Sequence, residues 1–166
     1  MRTLVATVGY RNLSDMSVGA HLFNDLRCSE WEPGVDVEDL SYGPIAVVQN
    51  LEDRPRYDRM VFVAGVKRDR VPGGFYRGEW RRPLPSEEEI QARIGEAVTG
   101  VIDLENLLVV AQYFRVLAPD VIVIEVEPVE WESGENLSSI VAGMLPNILR
   151  TVKREAHGAS HSGIGV

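Results

Sequence analysis

The sequence has a single cysteine, Cys28, among its 166 residues, so no disulfide can form within the chain. We expect Cys28 to pack as a small apolar side chain at the end of a helix. Long apolar runs are also missing, whereas a membrane-spanning helix needs about 20 predominantly apolar residues. The first eight residues read as a buried strand and not as a signal peptide. These absences predict a cytoplasmic protein that does not cross a membrane.

Positive charge is scarce, with 17 Lys and Arg against 25 Asp and Glu and a net charge of −8. This balance argues against nucleic acid or an anionic membrane as the main partner. Residues 54–82 are the exception, because nine basic residues stand there against three acids, a local charge of +6. The segment is either a solvated surface or a docking face for an acidic protein partner. For docking, the candidate residues are Lys67, Arg68 and Arg70.

The order of apolar segments predicts the fold class. Strands are predicted at residues 4–8, 35–40, 59–65, 75–80 and 121–126, and helices near 17–28, 44–51, 86–97, 104–114 and from 138 onward. Such alternation predicts an α/β domain, a three-layer αβα sandwich around a mainly parallel, twisted, five-stranded sheet. We expect this domain to occupy residues 1–156, with Pro146 kinking or splitting its last helix. Residues 157–166 are predicted to be a flexible tail.

Common catalytic and nucleotide-binding motifs are absent. The loop after the first strand has neither the three glycines of a dinucleotide site nor the lysine of a phosphate loop, and no Gly-x-Ser-x-Gly occurs. In open α/β sheets, ligands collect at the carboxyl ends of the strands. The loops at residues 9–19, 63–70 and 97–103 therefore form the expected cleft. A small molecule bound there would contact Tyr10, Arg11 and Met16.

The first of these loops resembles a known family motif. Gly9, Leu13, Asp15 and Gly19 match the opening motif of the hydrogenase maturation endopeptidases. The resemblance continues in residues 57–66, which are similar to that family's Tyr-Asp-x-apolar strand ending in Val-Asp-Ala-Val. It extends through a glycine-rich turn at residues 73–77 and a similar C-terminal helix, and covers roughly residues 3–155.

The resemblance implies a function and a metal site. The family cleaves a C-terminal peptide from the large subunit of nickel-iron hydrogenases and recognises nickel with two acids and a histidine. The equivalent positions here are Met16, Ala64 and Gly100. Alanine and glycine supply no donor, and methionine suits only soft metals. We therefore expect neither a metal nor another cofactor.

Two aspartates near the expected cleft could replace the missing ligands. Asp15 lies in the first loop and Asp103 precedes the fourth helix. We expect both to cap helices instead, because an aspartate before an apolar helix commonly accepts a backbone N–H bond. Asp69, between two basic residues, is expected to be exposed.

Three functional hypotheses remain open. The leading one is a catalytically degenerate relative that acts as an accessory or assembly factor and binds a hydrogenase large subunit or a related protein. The second is an active endopeptidase that removes the C-terminal peptide of a large-subunit precursor. The third is a small-molecule binding module that reuses the cleft. Fold similarity alone does not choose among them, and the oligomeric state stays open.

Overall fold

A computed structural model of the protein describes residues 1–99 and 103–158. Five strands and five α-helices occur in these residues: β1 (Thr3–Val8), α1 (Val18–Arg27), β2 (Val35–Asp39), α2 (Pro44–Glu52), β3 (Arg59–Gly65), β4 (Phe75–Glu79), α3 (Glu87–Val98), α4 (Leu104–Tyr113), β5 (Asp120–Val126) and α5 (Ser139–Ala156). A short 3-10 helix, Ser14–Ser17, precedes α1. Gly100 and most of the predicted tail lie outside the described residues.

The strands form one sheet in the order β2-β1-β3-β5-β4. The first four strands in that order are parallel, and β4 runs antiparallel to β5 at the edge. Side chains alternate across the central strands, so that Leu4 and Ala6 pack toward α2 and α4, whereas Val5 packs toward α1 and α5. This confirms the predicted α/β fold with a mainly parallel five-stranded sheet. Because helices cover both faces of the sheet, the side chains on both faces of the central strands are buried, and these strands are apolar nearly throughout.

The last helix is continuous, which corrects one expectation. α5 extends over 18 residues and contains Pro146 in its interior. Proline cannot bond to the carbonyl of the residue four positions earlier, here Ala142. Both residues are exposed, so water can satisfy that carbonyl. Of the two effects predicted for Pro146, the split of the helix is therefore wrong, and the kink stays a prediction.

Cys28 is exposed, contrary to the expectation that it packs against the core. α1 buries Val18, Leu22 and Leu26, which recur every four residues along one face. Cys28 follows Leu26 by two residues and is the C-cap of the helix. A step of two residues rotates about 200° around a helix, so Cys28 faces away from that buried stripe.

The helices of the described residues include none that is both long and apolar enough to cross a membrane.

Candidate functional site

The candidate site lies at the topological switch point of the sheet, beside the carboxyl end of β1. From β1 the chain moves to β2 on one side and then returns to β3 on the other, so the loops that leave β1 and β3 diverge. Between them is a cavity of about 290 Å³. It is lined by Tyr10, Met16, Gly65, Val66, Lys67, Arg68, Asp103 and Glu105. We call this cavity the switch-point cleft.

Met16 reaches the cleft because the 3-10 helix packs directly onto the end of β3. A Cβ atom on Gly65 would lie 2.8 Å from the Asp15 carbonyl oxygen and 2.9 Å from the Met16 Cα. Only glycine permits that approach without a shift of the backbone. Ala64, the preceding residue, is 1% exposed and pairs with Val8 on one side. Two of the positions that the resemblance equates with ligands, Met16 and Ala64, thus lie near the carboxyl ends of β1 and β3, and the third, Gly100, lies outside the described residues.

Asp15 does not face the cleft. It is fully buried, and its carboxylate accepts hydrogen bonds from the backbone N–H groups of Val129 (2.9 Å), Glu130 (2.9 Å) and Ser138 (2.8 Å) and from the Ser138 hydroxyl (2.8 Å). Neither the 3-10 helix nor α1 has a side-chain cap. The expectation that Asp15 caps the following helix is therefore wrong. The carboxylate instead joins the first loop to the loop between β5 and α5, and both its oxygens are in use.

Asp103 and Glu105 line the other wall of the cleft. Asp103 is the N-cap of α4, and its carboxylate accepts a 2.9 Å hydrogen bond from the Glu105 N–H, which confirms its predicted capping role. Glu105 forms ion pairs with Arg82 (2.7 Å), Arg68 (3.5 Å) and Arg93 (3.7 Å).

Burial by itself would raise the pKa of Glu105. The hydrogen bond from Arg82 and the positive charges of Arg82, Arg68 and Arg93 outweigh that effect, so the pKa lies below its ordinary value. Glu105 is thus held as a carboxylate whose neighbours are already cations. Because these arginines already neutralise its charge, Glu105 is poorly suited to bind a metal ion.

The loop after β3 is held in place by two glutamates from the end of β5. Glu127, 2% exposed, accepts bonds from the backbone N–H groups of Arg68 and Asp69 and from the Arg70 Nε. Glu125 pairs with Arg68 at 2.8 Å and with Arg70 at 3.0 Å. The bond to Glu125 raises the pKa of Arg68 against the opposing effect of burial. The sequence did not predict these contacts, because the bonded residues lie 55 to 59 positions apart along the chain.

These contacts change the reading of residues 54–82. Eight of the nine basic side chains form ion pairs, most of them with acids from outside the segment; Arg56 instead donates to the Arg115 carbonyl. The local excess of positive charge in the sequence is therefore largely balanced in space. Lys67 is the most accessible of the three docking candidates, with 43% of its side chain exposed. Its partner Asp69 is 86% exposed, as expected.

Arg11 lies apart from the switch-point cleft. It lines a neighbouring cavity of about 510 Å³ between the ends of β1 and β2, together with His21 and Asp39. Its guanidinium lies 3.5 Å from the Asp39 carboxylate. A single pocket formed by Tyr10, Arg11 and Met16 was therefore a wrong grouping, since the loop carries Arg11 to the opposite side of β1.

The donor set of the cleft does not fit a divalent metal. Within residues 1–99 and 103–158, no three His, Cys, Asp or Glu side chains are grouped closely enough to hold one. Met16 offers a thioether, Asp103 accepts a bond from the Glu105 N–H, and Glu105 is paired with Arg82. Divalent nickel and zinc need several oxygen, imidazole or thiolate donors that converge on one point.

Solved structures share this fold. The hydrogenase 2 maturation peptidase from a Thaumarchaeota archaeon is 28% identical, with a TM-score of 0.66 over 95% of this chain and 99% of that one. The hydrogenase maturating endopeptidase HybD from Escherichia coli is 19% identical, with a TM-score of 0.69 over 95% and 94% of the two chains. The chain has the fold of the hydrogenase maturation endopeptidases. The resemblance inferred from the sequence is confirmed.

A third relative extends the likeness to another organism. The [NiFe] hydrogenase maturation protease HybD from Thermococcus kodakarensis is 18% identical, with a TM-score of 0.61 over 94% of this chain and 99% of that one. No family model matches the chain, and no curated protein matches it. The fold of these peptidases thus occurs here with a sequence that is 18–28% identical to the three structures named.

Proposed function

We propose that this chain is a catalytically degenerate member of the maturation-endopeptidase fold that acts by binding a protein. The partner would be a nickel-iron hydrogenase large subunit or a related protein, and the role would be that of an accessory or assembly factor. The observation that carries the proposal is the composition of the switch-point cleft. Met16 lines this cleft and Ala64 is buried near the end of β3, and the resemblance implies a carboxylate at each of these two positions.

The carboxylates that remain near the cleft have other partners. Asp15 bonds to the loop before α5, Asp103 caps α4, and Glu105 is surrounded by arginines. A peptidase that relied on them would first have to break contacts that hold its own loops. This favours partner binding over metal-assisted hydrolysis.

The deciding experiment compares a hydrogenase large subunit from cells with and without this gene. Mass spectrometry reports its C-terminal extension, and a pull-down with the tagged chain reports binding. An accessory role predicts capture of the large subunit and normal removal of the extension without this gene. An extension retained only when the gene is missing would establish the active endopeptidase instead.

The assignment of the ligand positions can be tested by restoring them. The variant Met16→Glu, Ala64→Asp, Gly100→His should bind nickel or zinc in calorimetry if the inherited backbone still directs these side chains to one point. The matched control is the double variant that retains Met16, which should bind far more weakly. If a folded triple variant takes up no metal, at least one of the three assignments is wrong.

A further inference from the structure

Within residues 1–99 and 103–158, no strand pairs with the outer edge of β4. β4 is the last strand in the sheet order. The Trp80 N–H donates to the Val121 carbonyl at 2.9 Å, and the Gly74 carbonyl accepts from the Glu127 N–H at 2.8 Å. In an antiparallel ladder such directions alternate, so the even-numbered residues of β4 turn their backbone groups toward β5. The odd-numbered residues turn theirs outward; these are Phe75, Arg77 and Glu79.

A groove of about 320 Å³ runs along one face of this strand. Gly78 lies opposite Val123, and because it has no side chain, Val123 forms part of the groove floor. Tyr76 and Trp80 stand on the same face as Gly78, one on each side of it. Their rings are covered by guanidinium groups, Arg70 at 4.2 Å over Tyr76 and Arg82 at 4.7 Å over Trp80.

Positive charge predominates in the groove lining. Five arginines and two glutamates line it: Arg68, Arg70, Arg77, Arg81, Arg82, Glu79 and Glu125. Each glutamate is shared by two arginines. The Arg70 Nη2 is buried and has no hydrogen-bond partner among the described residues. The same arginines also pair with Glu105, Glu127 and Glu155, none of which lines the groove. The groove surface therefore presents more guanidinium groups than carboxylates, although acids outside the lining balance much of this charge.

We infer that β4 and this groove bind an extended acidic peptide, which adds to the sheet as a sixth strand. The free backbone groups of β4 supply the main-chain pairing. Side chains of a strand alternate between two faces, so every second residue of the peptide would face the groove and carry a carboxylate. Arg68 lines both the groove and the switch-point cleft, so the bound segment would lead toward the cleft. The inference rests on the proposed protein-binding function and specifies the chemistry of the partner segment.

The test uses the whole chain and a fluorescein-labelled peptide of about eight residues, the length of a typical strand, in which glutamate alternates with threonine. Fluorescence anisotropy at low salt should show saturable binding. A matched peptide with lysine in place of glutamate should not bind. Two further peptides carry N-methyl groups on alternate residues. In the first peptide the methyl groups lie along one edge of the strand, and in the second they lie along the opposite edge. Strand addition predicts that only one of these two loses affinity, whereas purely electrostatic binding predicts that neither does.

The variant Arg81→Glu probes the groove without disturbing the fold, because this side chain is 83% exposed and, among the described residues, has an ion pair with Glu79 alone. It should weaken binding of the glutamate peptide roughly threefold to tenfold. Arg150→Glu, on exposed α5 surface, is the matched control and should leave binding unchanged. Absence of binding, equal binding of the lysine peptide, or full affinity of Arg81→Glu would overturn the inference.

The same measurements separate this inference from the proposed function. If the chain captures a large subunit but not the glutamate peptide, the protein-binding function stands and the groove inference falls. If the peptide binds in the expected pattern but no large subunit is captured, the groove stands and the assignment of the partner falls.

Discussion

Replacement of Asp15 by alanine is the most informative single change, because it tests whether this aspartate has a structural role. The carboxylate is fully buried and accepts four hydrogen bonds, three from backbone N–H groups and one from the Ser138 hydroxyl. A buried donor left without a partner costs about 1–3 kcal/mol. Two effects reduce the total loss of free energy. Water that enters the space left by the side chain can bond to some of the donors, and the variant no longer has to bury a carboxylate.

We therefore expect Asp15→Ala to lower the free energy of unfolding by about 3–5 kcal/mol. For a chain of this size that corresponds to a fall of roughly 6–20 °C in the melting temperature. Asp15→Asn should also destabilise the protein, though less. Its amide keeps one acceptor oxygen but turns an NH₂ group toward a backbone donor that the carboxylate now satisfies.

Thermal unfolding by circular dichroism and chemical denaturation measure both variants. The matched control is Asp25→Ala on the exposed face of α1, which should change stability by less than about 0.5 kcal/mol. Hydrogen exchange should show faster exchange at Val129 and Glu130 in Asp15→Ala. An unchanged melting temperature would refute the structural role and return Asp15 to the list of possible ligands.

Three further substitutions test residues that line the switch-point cleft, namely Gly65, Glu105 and Lys67. Gly65→Ala should destabilise the protein by roughly 1–3 kcal/mol in denaturant melts, because its Cβ would meet backbone atoms of the 3-10 helix at 2.8 and 2.9 Å, whereas Gly143→Ala, with open space around it, should not. Glu105→Gln should lower the free energy of unfolding by about 1 kcal/mol at neutral pH. Because the pKa of Glu105 is lowered in the folded state, the wild type should lose this advantage as the pH falls through that lowered pKa. Equal dependence of stability on pH in the two proteins would contradict this prediction. Lys67→Glu should weaken capture of the partner and lower stability by less than about 1 kcal/mol, because the half-exposed ammonium contacts Asp69 and lies 4.9 Å from the centre of the Trp131 ring. Unchanged capture at low and moderate salt would remove Lys67 from the docking surface.

Much of the fold could be predicted from local patterns. Residues 59–65 read as a central strand, and β3 has these bounds, because a strand covered on both faces must be apolar throughout. The predicted helices near residues 86–97 and 104–114 begin as expected, and the predicted cap, Asp103, accepts a bond from the Glu105 N–H, as Ser86 does from the Glu89 N–H. Capping depends on residues two to three positions away, so the sequence contains the whole interaction.

The candidate site depended on contacts that no local pattern contains. Asp15 looked like a helix cap, yet its partners lie 114 to 123 residues further along the chain. Arg68 and Arg70 looked like free charges, yet β5 brings two glutamates beside them. Hydrogen bonds and ion pairs act over a few ångströms in space. The sequence by itself determined the strands, the helices and the family resemblance, while the folded sheet decided which carboxylates organise the loops and which face the cleft.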